Sequence, residues 1–291
     1  MSILPLIEIL LANIIWGFGF VATAWALESF NEFQIFFLRI FVAAVVGLIA
    51  FAAFGRTNLR KYLRLSFLPS FFLALEIFFQ IFSLKYTKAT EGGFLFVTYI
   101  LMVPLLEFIL FKKRLGYRQV LWIFMGLGGS YLMIEGGVMA MGLGEFAMLL
   151  SALFASCHLI VVDRTDREAL NSFYFNTFQL FWSTLMSLPL LLIIDLRLKS
   201  VVTWNSLLGL GALIFGSTLI AYFLQIKAQK SVSPMAISIL FLLESIFSAI
   251  FASLLLGERI TLVQWVGALL ITLSALAVSF ELLRKDETGP S

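Results

Sequence analysis

Apolar residues along this chain fall in blocks of roughly 17–23, separated by short polar breaks. At 1.5 Å of rise per residue, such a block crosses the ~30 Å hydrocarbon layer of a bilayer. The blocks predict helices near 5–27, 32–53, 62–84, 92–111, 118–134, 143–162, 172–194, 205–226, 234–256 and 262–283. Helices follow from the solvent, because lipid offers no hydrogen bond to a backbone amide and an open strand would leave its amides unbonded. The alternating ten-residue segments of a membrane barrel do not occur in the sequence. A start signal supports the ninth helix, where the Ser233 hydroxyl precedes Pro234 at the first helical position.

Composition strengthens this picture. The chain has 291 residues, 61% hydrophobic and 13% charged. A water-soluble domain has no place to hide so much apolar surface. The 32 phenylalanines suit lipid-facing positions and carry no argument about substrate. A net charge of +3, with basic residues scattered in short loops, implies no nucleic-acid partner. Cys157 is the single cysteine, so no intrachain disulfide can form. Cys157 and His158 fall short of the four ligands a zinc ion wants, and neither a metal nor a cofactor is expected. The first block lacks a basic leader, and Glu8 stands where a signal peptide's apolar core would begin, so residues 5–27 read as a span. The polar tail Lys285–Ser291 is too short for a further domain.

Charge also orients the chain. On the face holding the N-terminus lie Arg56, Arg60, Lys61, Arg64, Lys112, Lys113, Arg114, Arg118, Arg164, Arg167, Lys227, Lys230, Arg284 and Lys285. The opposite face has Lys85, Lys88, Arg197, Lys199 and Arg259. The excess marks the first face as cytoplasmic, with both termini there. An internal repeat is visible as well. A shift of 145 lays Gln80, Lys85, Leu95, Phe96, Arg114 and Gln119 on Gln225, Lys230, Leu240, Phe241, Arg259 and Gln264. Each copy holds five predicted helices, residues 1–136 and 137–291. Five is odd, so the second copy enters the membrane inverted, as in alternating-access transporters.

The stretch "LKYTKATEGGFLFVTYILMVPLLEFILFKKRLGYRQ", its mate "AQKSVSPMAISILFLLESIFSAIFASLLLGERITLVQWVGALL" and the early "ANIIWGFGF" resemble the drug/metabolite transporter superfamily, in its EamA-type ten-helix branch. The resemblance runs over essentially the whole chain, and Leu256 to Gly267 is its most family-like part. It implies an all-α membrane protein of ten transmembrane helices as two inverted five-helix repeats. It further implies a central cavity lined mainly by helices 1, 3, 4, 6, 8 and 9, and export or exchange of small metabolites. The first copy departs from the pattern, with Lys112-Lys113-Arg114 where the second has Gly257-Glu258-Arg259, a difference that concerns topology more than chemistry.

Ionisable groups inside a bilayer are costly, so each one is a candidate site. Glu244 lies eleven residues into its helix, roughly 16 Å from the start and so at the midplane. Ser245 is adjacent and Ser248 one turn on, and Tyr99 is its equivalent in the first copy. Glu244 reads either as a carboxylate for an amine or a proton, or as a structural acid bonded to serine. Glu76 and Gln80 share a helix face at similar depth to Arg39. An Arg39–Glu76 pair would be scaffold or gate; unpaired, Arg39 would receive a substrate carboxylate. Asn13 and Trp16, with Gly17 and Gly19, mark the first helix near the midplane, where an indole can stack on a flat or cationic substrate. Tyr222 and Gln225 point to similar faces. His158, the only histidine, reads as a proton relay or a satisfied structural group, and Glu107 as structural. Pro104 should kink its helix beside Tyr99. Gly126 and Ser130 suit packing within one bundle, and a monomer is expected.

These features predict a secondary transporter of the bacterial inner membrane that exports a small polar metabolite, such as an amino acid or related amine. Its partners would be that solute, the lipid bilayer and coupling protons. No GxxxxGK[ST] stretch is present to bring in a nucleotide. The alternative is a proton-coupled exporter of lipophilic or quaternary cations, for which Glu8 would matter. An intramembrane enzyme would need a nucleophile–base pair or metal cluster, and a channel would need repeated polar rings.

Overall fold

The structure, a computed structural model, describes residues 4–55, 58–112, 116–133, 142–165, 171–192, 197–198, 201–230 and 234–288. The described residues are helical apart from short connections. In chain order the helices are α1 (Leu4–Leu27), α2 (Glu32–Phe54), α3 (Leu59–Ser83), α4 (Ala89–Phe96), α5 (Tyr99–Phe111) and α6 (Tyr117–Met133). There follow α7 (Leu143–Asp163), α8 (Ser172–Ser187), α9 (Trp204–Gly211), α10 (Tyr222–Ala228), α11 (Pro234–Leu256) and α12 (Leu262–Thr288). Among the described residues, six segments are long and apolar enough to cross a membrane: Leu4–Leu27, Glu32–Phe54, Leu59–Ser83, Ala89–Phe111, Leu143–Asp163 and Trp204–Ala228. Shorter apolar helices accompany them at Val120–Met133, Leu240–Leu256 and Leu262–Ser274. Large apolar side chains such as Ile49, Ile109, Phe124 and Leu254 stand exposed on the outer surface, as lipid-facing residues do.

Local chemistry explains where helices begin and change. Asn31 accepts from the Gln34 amide while Gln34 accepts from the Asn31 amide, a reciprocal cap that starts α2. Pro234 opens α11, whereas the capping residue expected before it, Ser233, lies outside the described residues. The predicted helix 92–111 is corrected: the chain starts helical at Ala89 and breaks at Val97–Thr98 into α4 and α5. There the Thr98 hydroxyl donates to the Leu95 carbonyl at 2.6 Å, and the Ile100 amide reaches back only three residues, to Val97. The break thus precedes Tyr99, a turn before Pro104. The predicted helix 172–194 tightens after Ser187 into a 3₁₀ stretch, Leu188–Leu192, because Pro189 has no amide to continue the ladder. Between α9 and α10, Ala212–Ala221 winds as a π-helix, continuing one span from Trp204 to Ala228. The last helix runs through Thr288, beyond its expected end at 283.

Packing follows the small residues. α1 lies along α11, where a Cβ on Gly17 would come within 2.5 Å of Phe247 Cβ. α6 lies along α12, where Gly129 and Gly267 face one another and a Cβ on either would press on the other's carbonyl, at 2.8 and 2.7 Å. Gly126 packs on Leu101 and Ser274 of the same bundle; the Ser130 side chain lies outside the described residues. α3 packs on α7 and α8, α2 on α8, and α7 on α4 and α5. One buried cluster joins α1, α4, α5, α7 and α11 through residues such as Phe20, Leu95, Leu101, Met148 and Leu242. A second joins α2, α3, α8 and the π-helix through Ile35, Ile40, Leu73, Leu180 and Leu213. Trp16 packs against both clusters, and the polar site lies between them. The boundary at 136–137 and the loop residues Arg56, Lys113, Arg114, Gly137, Arg167 and Lys199 lie outside the described residues.

Candidate functional site

A narrow cavity lies where the two clusters meet. Its walls hold Trp16 of α1, Arg39 of α2, Glu76 and Gln80 of α3, and Tyr99 of α5. His158 of α7, Tyr222 and Gln225 of α10 and Glu244 of α11 complete the polar lining. Phe96, Ala155, Leu159 and Phe241 fill the gaps. The open volume is about 30 Å³, room for one or two waters. A metabolite needs these walls to part.

The aromatic rings form a partial box. Trp16 meets Tyr222 and Phe241 edge-on, with centroids 5.2 and 5.7 Å apart. Tyr99 lies 5.2 Å from Phe96 and 6.4 Å from Phe241. Trp16 is held because its Nε1 donates to the Ser217 carbonyl at 3.1 Å. Glu244 is almost wholly buried yet makes no hydrogen bond or ion pair with any described residue. Ser245 and Ser248 do not serve it: their hydroxyls donate to the carbonyls of Leu242 and Ala89. A carboxylate without a protein partner, beside aromatic faces, can receive an ammonium group or a proton.

The rest of the polar lining is more heavily bonded. Tyr222 donates its hydroxyl to Glu76 Oε1 at 2.7 Å. His158 Nδ1 lies 3.6 Å from Glu76 Oε2, and its Nε2 is 2.8 Å from Gln179 Oε1. When that Gln179 oxygen accepts the Nε2 proton, Nδ1 turns a lone pair toward Glu76, and one proton between them serves both. Among the described residues no ion pair within 4 Å joins Arg39 to Glu76, though the two face the same cavity. The Arg39 Nε instead donates to the Thr218 hydroxyl at 2.7 Å, and Thr218 donates on to the Leu213 carbonyl five residues back. Asn176 Nδ2 donates to the Thr218 carbonyl at 3.0 Å. Donors from α1, α2 and α8 thus converge on the π-helix, whose wider winding turns polar groups outward. Arg39 Nη1 is buried with no hydrogen-bond partner and borders the cavity.

The remaining expected residues divide. Trp16, Gln80, Tyr99, Tyr222, Gln225 and Glu244 line one cavity with Arg39, Glu76 and His158. Asn13 does not: its Nδ2 donates to the carbonyls of Ile9 and Leu240, tying α1 to α11. Ser248 is likewise a packing group, bonded to α4. Glu8 pairs with Lys227 at 2.5 Å and does not reach the cavity. Glu107 is half-buried near the end of α5. Sequence reasoning missed Thr218, Asn176 and Gln179, ordinary polar residues whose sequence positions say nothing of the charged side chains they meet. It also passed over Glu258 as topology. The Glu258 carboxylate accepts the Ala89 and Thr90 amides at 2.8 and 2.9 Å, capping α4.

Apolar spans around a narrow, charged and aromatic cavity are the features of an integral membrane protein of the transporter kind. The profile of the EamA-like transporter family matches residues 3–135 and again 142–280, and the chain belongs to that family. Two proteins of Archaeoglobus fulgidus are similar, each named an uncharacterized transporter. One is 26% identical over 92% of this chain and 83% of its own length. The other is 24% identical over 86% and 88%. A solved crystal structure covers 96% of this chain and 97% of its own with a TM-score of 0.65, at 19% identity, a likeness of fold alone.

Proposed function

We propose that the protein is a secondary transporter that exports a small amino compound, an amino acid or related amine, across a bacterial-type inner membrane by alternating access. The observation that carries this reading is the Glu244 carboxylate, unbonded within an aromatic box and sharing its cavity with the unpartnered Nη1 of Arg39. Glu244 takes the ammonium end, with Trp16 and Tyr99 beside it. Arg39 takes the carboxylate end. Glu76 and His158, able to share one proton, are the second acid–base pair through which proton movement couples to substrate.

Ten helices in two inverted halves, 1–136 and 137–291, supply the motion. The two separate family matches support that division. So does the pairing of helices: α1 lies on the α9–α10 span and on α11, as α7 lies on α3 and on α4–α5. The 145-residue shift exchanges these sets, so the two halves can swap conformations and with them the side that is open. Both termini are cytoplasmic, and one bundle suffices as a monomer. A lipophilic-cation exporter fits less well, because Arg39 borders the cavity and Lys227 already holds Glu8.

The test is uptake into liposomes holding the purified chain, with amino acids, simple amines and quaternary cations, with and without a pH gradient. Gradient-driven movement of an amino compound, abolished by Glu244→Gln, is the expected result. Movement of quaternary cations alone overturns it.

A further inference from the structure

A second cavity lies away from the first, between the beginning of α3 and the ends of α5 and α7, with a volume of about 460 Å³. Its walls are apolar: Leu68 and Phe72 from α3, Leu110 from α5, Ile160 and Val161 from α7. Two cations stand at one end. Arg64 and Arg164 are both exposed, and among the described residues neither has a carboxylate within ion-pair distance. The Arg164 guanidinium lies 3.4 Å above the Phe111 ring, which holds it at the mouth of the groove.

The order of residues matters more than the list. Arg64, Leu68 and Phe72 follow at four-residue steps on one face of α3, so the groove runs about 12 Å from charge to hydrocarbon. On α7 the same order runs from Arg164 through Val161 and Ile160 to Cys157. The charged end is the helix-terminal end, and the apolar end points toward the membrane centre. A dry gap of this size would strip its walls of contacts. A bulk acyl chain could fill the slot but would leave two arginines unanswered.

We infer that this groove binds one anionic phospholipid, its phosphate bridged by Arg64 and Arg164 and one acyl chain lying along Leu68, Phe72 and Val161. Guanidinium forks match phosphate oxygens in pairs, and basic pockets between membrane helices hold anionic headgroups. The bound lipid wedges α3 against α7, the two helices that carry Glu76 and His158, and these already touch where the Ser151 hydroxyl donates to the Glu76 carbonyl at 2.8 Å. The inference rests on the membrane reading and not on the substrate, so the two can fail separately.

Cys157 lines the groove and is the only cysteine, so it reports occupancy directly. The full chain is placed in nanodiscs of phosphatidylcholine alone or with phosphatidylglycerol, and Cys157 alkylation by a membrane-permeant maleimide is timed. Phosphatidylglycerol should slow alkylation several-fold, and native mass spectrometry should find one such lipid retained. Arg64→Gln with Arg164→Gln should remove both effects while leaving thermal unfolding in phosphatidylcholine discs unchanged, since both residues are exposed. Val161→Trp, which fills the slot without touching charge, should also abolish retention. Equal alkylation in the two lipids overturns the proposal. So does a lipid preference that survives the double arginine variant, and retention that survives Val161→Trp shows that no acyl chain lies there.

Discussion

Glu244 is the one acidic or basic side chain of the central cavity, among the described residues, that no protein group bonds. Replacing it by Gln preserves shape and removes both the charge and the choice between proton and ammonium. Glu244→Gln should therefore fold and insert normally, yet lower gradient-driven uptake of an amino compound by about tenfold or more, on the order of 1.4 kcal/mol in binding. Parental uptake with an unchanged pH profile would make Glu244 structural. The neighbouring acid behaves differently, because Tyr222 serves Glu76. Tyr222→Phe leaves a buried carboxylate oxygen without its donor and should cost about 1–3 kcal/mol, read as a lower unfolding temperature in detergent. Glu76→Gln keeps an acceptor for Tyr222 and should spare stability while altering the pH dependence of transport. The candidates themselves were legible from sequence because a polar group at mid-membrane is expensive wherever it falls, so Arg39, Glu76, Tyr99 and Glu244 declared themselves. Their partners were not. Depth along a helix does not set the angle around the bundle, so depth left open whether Arg39 pairs with Glu76, and its bond to Thr218 could not be foreseen.

Pro234 marked a first turn from sequence, and most helix ends fell within a few residues of expectation, whereas the tightening at Pro189 was not read in advance. The π-helix was not readable, because side chains from other helices hold it. Arg39 and Asn176 donate to Thr218, and Trp16 donates to the Ser217 carbonyl. Thr218→Val removes the acceptor of a buried guanidinium and the bond to Leu213 together, whereas Thr218→Ser keeps both. The first should cost about 1–3 kcal/mol and the second much less, by thermal unfolding of the purified protein. A loss of equal size in both variants would place the effect in packing of the Thr218 methyl group. Just after the end of α3, Lys85 bonds Glu32 at 2.6 Å, and that bond pushes the lysine above its ordinary value. A cation whose folded value is raised contributes stability below its unfolded value near 10.5 and loses it as pH climbs through the higher folded value. Lys85→Met should therefore cost the same stability at pH 7 and pH 9, and the difference from the parent should shrink only above about 10.5. With the lysine side chain one-third exposed, solvent keeps that difference small.

At the scale of the whole molecule, one number organises the chain: a shift of 145 residues carries α3 onto the span from Trp204 to Ala228, and α4–α5 onto α11. Matching identities such as Gln80 with Gln225 and Phe96 with Phe241 made the repeat visible in the sequence, and both pairs line the same cavity. A repeat alone does not fix handedness in the membrane. On the proposed architecture, five spans per copy would make the second copy inverted, and the lysine and arginine excess would put the N-terminal face in the cytoplasm. Both statements meet at equivalent positions, because Arg114 and Arg259 occupy the same place in the two copies and should lie on opposite sides of the bilayer. Single cysteines at Lys113, Arg167, Gly137 and Arg259, in a Cys157→Ser background, test them together. An impermeant maleimide added to intact cells should label Gly137→Cys and Arg259→Cys, and should label Lys113→Cys and Arg167→Cys only after the membrane is opened. The reverse pattern would keep the inversion and overturn the orientation. Labelling of Lys113→Cys and Arg259→Cys from one side would overturn the proposed inverted repeat, and with it the proposal that a symmetric exchange opens the cavity to each face in turn.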